Sequence, residues 1–110
     1  MVVFAKRILM AMTHFHQEDK YMKLVVFNVG SALCVYAEHQ TTRMVFDVGK
    51  GNNFSPVNDF LLPLYEKRGE HRLKNRNNRY GISQLIVSHP HKDHISDIQD
   101  FDKNFYAHLL

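Results

Sequence analysis

Three histidines and an aspartate fall within six positions of the stretch VSHPHKDH, residues 87–94: His89, His91, Asp93 and His94. Neutral imidazole nitrogens and carboxylate oxygens are the donors that divalent transition metals take. The run follows an apolar stretch directly, so His89 and His91 stand just beyond a predicted strand end, where a turning backbone can aim both imidazoles at one ion. Asp93 and His94 come where a helix is predicted to begin, and offer an oxygen and a nitrogen to a second ion nearby. Zinc matches this mixture best, with manganese and iron as alternatives. Two such ions about 3.5–4 Å apart would share a water, lower its pKa toward about 7 and hold a leaving-group oxygen. That is hydrolytic chemistry. The competing reading is a solvated polar loop, which the spacing of four ligand-type residues after a strand outweighs. His14 and His16 make another H-x-H pair, but no Asp-His follows them, and they read as surface residues, as do His39 and His71.

The elements that must position the cluster are legible from periodicity. MKLVVFNVG, from Met22 to Gly30, reads as a strand closed by glycine, and Leu33 to Glu38 alternates as a second. A polar turn through His39 to Thr42 leads to RMVFDVG, so the three strands form an antiparallel meander. Ser55 is placed to cap a helix with Pro56 at its first position; Pro63 would kink that helix or begin its second part, and Gly69 is its stop. ISQLIVS is a short buried strand running straight into the cluster. Beyond it, Ile95, Ile98, Phe101, Phe105 and Leu109 are spaced for one face of a helix, with His108 inside it.

At 110 residues the chain is at most one domain, and its 45% hydrophobic and 23% charged residues are those of an ordinary globular chain. Residues 1–21 look detached from the pattern that starts at Met22. They are expected to be a flexible extension, dispensable to a domain over 22–110. The apolar run in them, Ile8 to Met12, is too short for a secretory core or a membrane span, so no membrane partner is expected and the location is cytoplasmic by default. Cys34 is the single cysteine, which excludes an intramolecular disulfide and a four-cysteine zinc site; it reads as a core or interface thiol. The net charge of +3 implies no nucleic-acid partner by itself. Its distribution says more: residues 67–79 carry six cationic side chains against Glu70 alone. That basic loop reads as a solvated surface, with phosphate or nucleic-acid binding as the alternative.

The run His89-x-His91-x-Asp93-His94 between strand and helix resembles the H-x-H-x-D-H signature of the metallo-β-lactamase-fold hydrolases. FNVG, VFDVG and the approach GISQLIVSHPHKDHISDI are similar to the competence-protein type of that superfamily, over roughly residues 22–101. The resemblance implies an α/β (α+β) fold: the N-terminal half of an αββα sandwich, one mixed sheet with packed helices. It implies that His89 and His91 ligate one metal and Asp93 and His94 a second, that Asp93 orients the attacking water, and that Asp47 of FDVG is a supporting carboxylate beneath the metal loop. The implied activity is hydrolysis of a phosphodiester or other ester. Family members draw two further histidines and a bridging aspartate from later strands, and Ser96 and Asp97 replace glycines that often follow the signature. The expectation is therefore a fragment with little activity alone, whose uncovered sheet face invites self-association. A non-catalytic module that binds nucleic acid through residues 67–79 is the competing expectation.

Overall fold

The computed structural model describes residues 2–4, 8–14, 21–30 and 32–109. One sheet runs through them in sequence order: β1 (Val2–Phe4), β2 (Ile8–His14), β3 (Tyr21–Phe27), β4 (Cys34–His39), β5 (Thr42–Val48), β6 (Tyr80–Ile86) and β7 (Phe105–Leu109). β1 to β5 are antiparallel neighbours, whereas β5, β6 and β7 pair in parallel. The chain is thus an α+β domain whose mixed sheet over β3–β7 carries the packed helices, as the alternation in the sequence requires. The sheet also crosses the boundary expected at Met22. β3 begins at Tyr21, and β2, inside the segment read as an extension, pairs with β3 along its whole length from Ile8↔Phe27 to His14↔Tyr21.

Parallel pairing needs crossovers, and both helical segments serve as one. A π turn over Val57–Leu61 runs into α1 (Leu62–Lys67), joining β5 to β6; α2 (Lys92–Ile95) and α3 (Ile98–Asn104) join β6 to β7. Pro63 sits in the first turn of α1, inside a continuous helical run, and the wide turn before it accommodates the missing N–H and the ring. The Asn58 amide donates to Ser55 Oγ and the Ser55 amide to Asp59 Oδ2, closing the first turn as the sequence led one to expect. Gly69, at φ +68°, ends α1, with the Glu70 amide donating back to the Tyr65 carbonyl.

The helices pack on one face of the sheet. Val25, Tyr36, Val45 and Leu85 lie side by side across β3–β6 and meet Val57, Leu61 and Tyr65 from the helix, while Phe101 and Phe105 close the far end against Tyr65 and Tyr80. Cys34 is fully buried here; its thiol pKa is pushed far up, by burial first and then by the carboxylates of Asp97 and Asp47, so it is an inert core thiol.

The last element corrects the sequence reading. The helix expected over residues 95–109 ends at Asn104, and Phe105, at φ −129° and ψ 145°, is already extended. Phe105 to Leu109 form β7 instead, because their backbone pairs with β6, from Tyr80↔Phe105 to Leu85↔Leu109. The side chain of His108 lies outside the described residues, as do those of His14 and His16.

Candidate metal centre

Ligands of open parallel sheets gather at the carboxyl ends of the strands. β3, β5 and β6 run in the same direction, so the loops after Phe27, Val48 and Ile86 meet at one end of the sheet. His89, His91, Asp93 and His94 all lie in the last of these loops and its short helix α2.

Asp47 is the anchor. The ladder between β4 and β5 slips at this point, with Val35↔Phe46 followed by Cys34↔Val48, so Asp47 is the extra residue of a β-bulge. Its φ of +58° is left-handed, a conformation that aspartate tolerates better than most side chains. The bulge turns the carboxylate toward Ser88 and His94 in the loop after β6, where it is 1% exposed and fully engaged. The Ser88 amide donates to Oδ1 at 2.7 Å and the Ser88 hydroxyl to Oδ2 at 2.6 Å, and His94 Nδ1 stands 3.0 Å from Oδ2. Burial raises the pKa of this carboxyl, but the Ser88 hydroxyl, His94 and the Ser88 amide outweigh it and hold the group below its ordinary value.

An ionised Asp47 requires a hydrogen on His94 Nδ1, which leaves the Nε2 lone pair of a neutral ring pointing away from the carboxylate. That is how ligating histidines are usually held. His94 Nε2 lies 3.9 Å from Asp93 Oδ1, and the His89 ring centroid is 5.5 Å from that of His94 and 5.7 Å from that of His91. His89, His91 and Asp93 are exposed, and His94 is half-buried. All four expected residues are therefore neighbours at one sheet end. Their pairing is looser than the sequence implied, since His89 stands as close to His94 as to His91. Among the described residues no three His, Cys, Asp or Glu side chains converge closely enough to hold an ion as they stand. The donor set is of the kind a metal takes, because imidazole nitrogens and a carboxylate oxygen gather in one loop and a buried carboxylate fixes one of the rings. Closing on an ion would take rotation of exposed side chains.

Three residues support the loop in ways the sequence did not show. Ser88 bridges Asp47 and the loop, and its only signal was a hydroxyl at a strand end. Gly49 is required by close approach: a Cβ there would overlap the carbonyl oxygen of Asp93 and stand 2.7 Å from Ala32 Cβ. Asp97, 1% exposed, ties the metal loop to the helix, its amide donating to the Val48 carbonyl and its Oδ2 accepting from the Ser55 hydroxyl and the Val57 amide. Burial raises its pKa. At this position the carboxylate is a packing device that joins the loop after β6 to the helical segment after β5.

A cleft of about 660 Å³ opens beside the loop, with Lys50, Lys92 and Asp93 among its lining residues and Val29 and Phe54 on its apolar side. The basic loop lies elsewhere. Its arginines are largely engaged: Arg68 pairs with Glu38 and Arg79 with Asp102, while Arg72 and Arg76 lie over the rings of Tyr80 and Tyr106.

Comparison with protein-family models, with curated proteins and with solved structures finds no match to this chain. Among the described residues no helix is long and apolar enough to cross a membrane.

Proposed function

We propose that the chain carries the metal-binding end of a metal-dependent hydrolase of the metallo-β-lactamase type, acting on a phosphodiester or other ester. The observation that carries this reading is the buried Asp47, its carboxyl held below the ordinary value, with His94 Nδ1 at 3.0 Å, while the His89 ring lies 5.5 Å from that of His94 and Asp93 Oδ1 3.9 Å from its Nε2. A polar strand end has no need of a left-handed carboxylate aimed at an imidazole; a ligand that must keep one orientation does. His89, His91 and His94 would hold zinc, or manganese or iron in its place, with Asp93 as the carboxylate donor. Bound there, the metal would supply an activated water and charge stabilisation. Asp93 would orient that water and accept its proton, while Asp47 and Ser88 keep His94 in one tautomer.

Three of the four donors suffice for one ion with an open position, and shared between two ions the four leave each short of ligands. Weak, exchangeable metal and turnover near background are therefore expected of this chain by itself. The test is the zinc bound at equilibrium, read by dialysis against buffered zinc, beside His91→Ala. The native chain should bind close to one ion and the variant much less; equal, near-zero metal in both would remove the assignment. The nucleic-acid alternative through residues 67–79 has less support, because all four arginines there already have intramolecular partners.

A further inference from the structure

We propose that the cleft beside the metal loop is a subsite for phosphate esters that carry a planar ring. The inference names a substrate class for the hydrolytic site and takes its catalytic meaning from that reading, although the binding itself does not depend on a metal.

The volume, about 660 Å³, is that of a small-molecule site. Its two cations come from different loops: Lys50 follows β5, and Lys92 opens α2. One frame holds both, since the Lys50 amide donates to Ser96 Oγ at 2.9 Å, and Ser96 directly follows α2. Among the described lining residues Asp93 is the only carboxylate, and Asn28 and Asn52 add amide donors. Two ammonium groups against one carboxylate favour an anion, and several donors from separate loops suit the spread oxygens of a phosphoryl group. The remaining wall is apolar. Phe54 lines it, and its ring is fixed by packing on Phe27 at 5.9 Å between centroids, with a tilt of 36°. Val29 continues this surface. Inorganic phosphate would leave that wall uncovered, and a plain apolar ring would leave the lysines without a counter-charge. A ligand with both parts, such as a nucleotide or an aryl phosphate, uses the whole cleft, and its phosphoryl group would lie next to Asp93.

The experiment titrates the full chain, in the presence of chelator, with adenosine 5′-monophosphate, p-nitrophenyl phosphate, adenosine and inorganic phosphate. At least one ester should bind about 10-fold or more tighter than either adenosine or inorganic phosphate. The preference between the two esters then assigns a nucleotide or an aryl phosphate as the occupant. Lys50→Ala and Lys92→Ala should each weaken the ester about 5- to 10-fold with an unchanged circular dichroism spectrum, while Lys103→Ala, on α3, should bind as the native chain does. Esters binding no tighter than inorganic phosphate, lysine variants that bind normally, or an equal loss in Lys103→Ala would each overturn the subsite. Because no metal is present, this result stands apart from the metal-content test of the hydrolase reading, and either can fail alone.

Discussion

Asp47 concentrates the chemistry of this chain in one side chain, and the sign of its pKa shift makes it testable. A carboxyl held below its ordinary value stabilises the fold at pH above about 4, its unfolded-state range. That contribution is lost as pH falls through the lowered folded-state value. Asp47→Asn keeps the shape and removes the charge. The variant should be less stable at neutral pH by about 1–2 kcal/mol, and the gap between it and the native chain should close as the pH is lowered below about 4. Parallel melting curves over the whole range would show that Asp47 is not ionised in the fold. The same substitution removes the acceptor that fixes His94, so zinc affinity should fall about 10- to 100-fold. Half of this residue was legible in the sequence. The resemblance of VFDVG pointed to Asp47 as a supporting carboxylate, but its partner Ser88 is 41 positions away and only the folded sheet brings them together.

At the scale of elements, the sequence located β3, β4, β5 and β6 because each is a short apolar or alternating run that ends at a glycine or a polar turn. It failed at β7, and the cause is physical. Over a segment as short as 98–109, apolar residues three and four apart fit a helix as well as they fit a helix that stops and becomes a strand, and only pairing with β6 decides between them. The bulge at Asp47 was equally hidden, since it appears in the register and not in the pattern. Gly49 shows what the bulge demands of its neighbours. Its amide donates to the Leu33 carbonyl at 2.8 Å, and the Leu33 amide donates in turn to the Asp93 carbonyl, so at this point strand and histidine loop are joined backbone to backbone. In Gly49→Ala the new methyl meets two backbone groups and Ala32, none of which can rotate away. The expected cost is about 1–3 kcal/mol, read as a lower melting midpoint. Because the loop itself must move, zinc retention should fall as far as in His91→Ala. Full stability with full metal retention would show that α2 does not rest on this glycine.

The whole molecule has two unequal faces. One carries the helices. The other presents a continuous apolar row, Val26, Val35, Phe46 and Ile86, paired strand to strand across β3–β6, with Leu24, Ala37 and Met44 in the row beside it. All seven are half-buried, and none belongs to the core beneath the helices or packs against it. A sheet apolar on both faces is built to be covered on both. Completing the burial of a single such side chain is worth about 1.5–3 kcal/mol at most, so even partial cover of this row by a second copy offsets part of the entropy of association. The chain is therefore expected to self-associate through this face, with weight-average mass rising with concentration in sedimentation equilibrium. Val35→Glu places a charge in the middle of the row, between Val26 and Phe46, on the face opposite the buried core. It should return the protein toward monomer and leave zinc retention unchanged, since the metal loop lies at the end of the sheet. A native chain that stays monomeric at every concentration would show that this row is stable in water. An associating chain that Val35→Glu does not disperse would place the contact elsewhere on the surface.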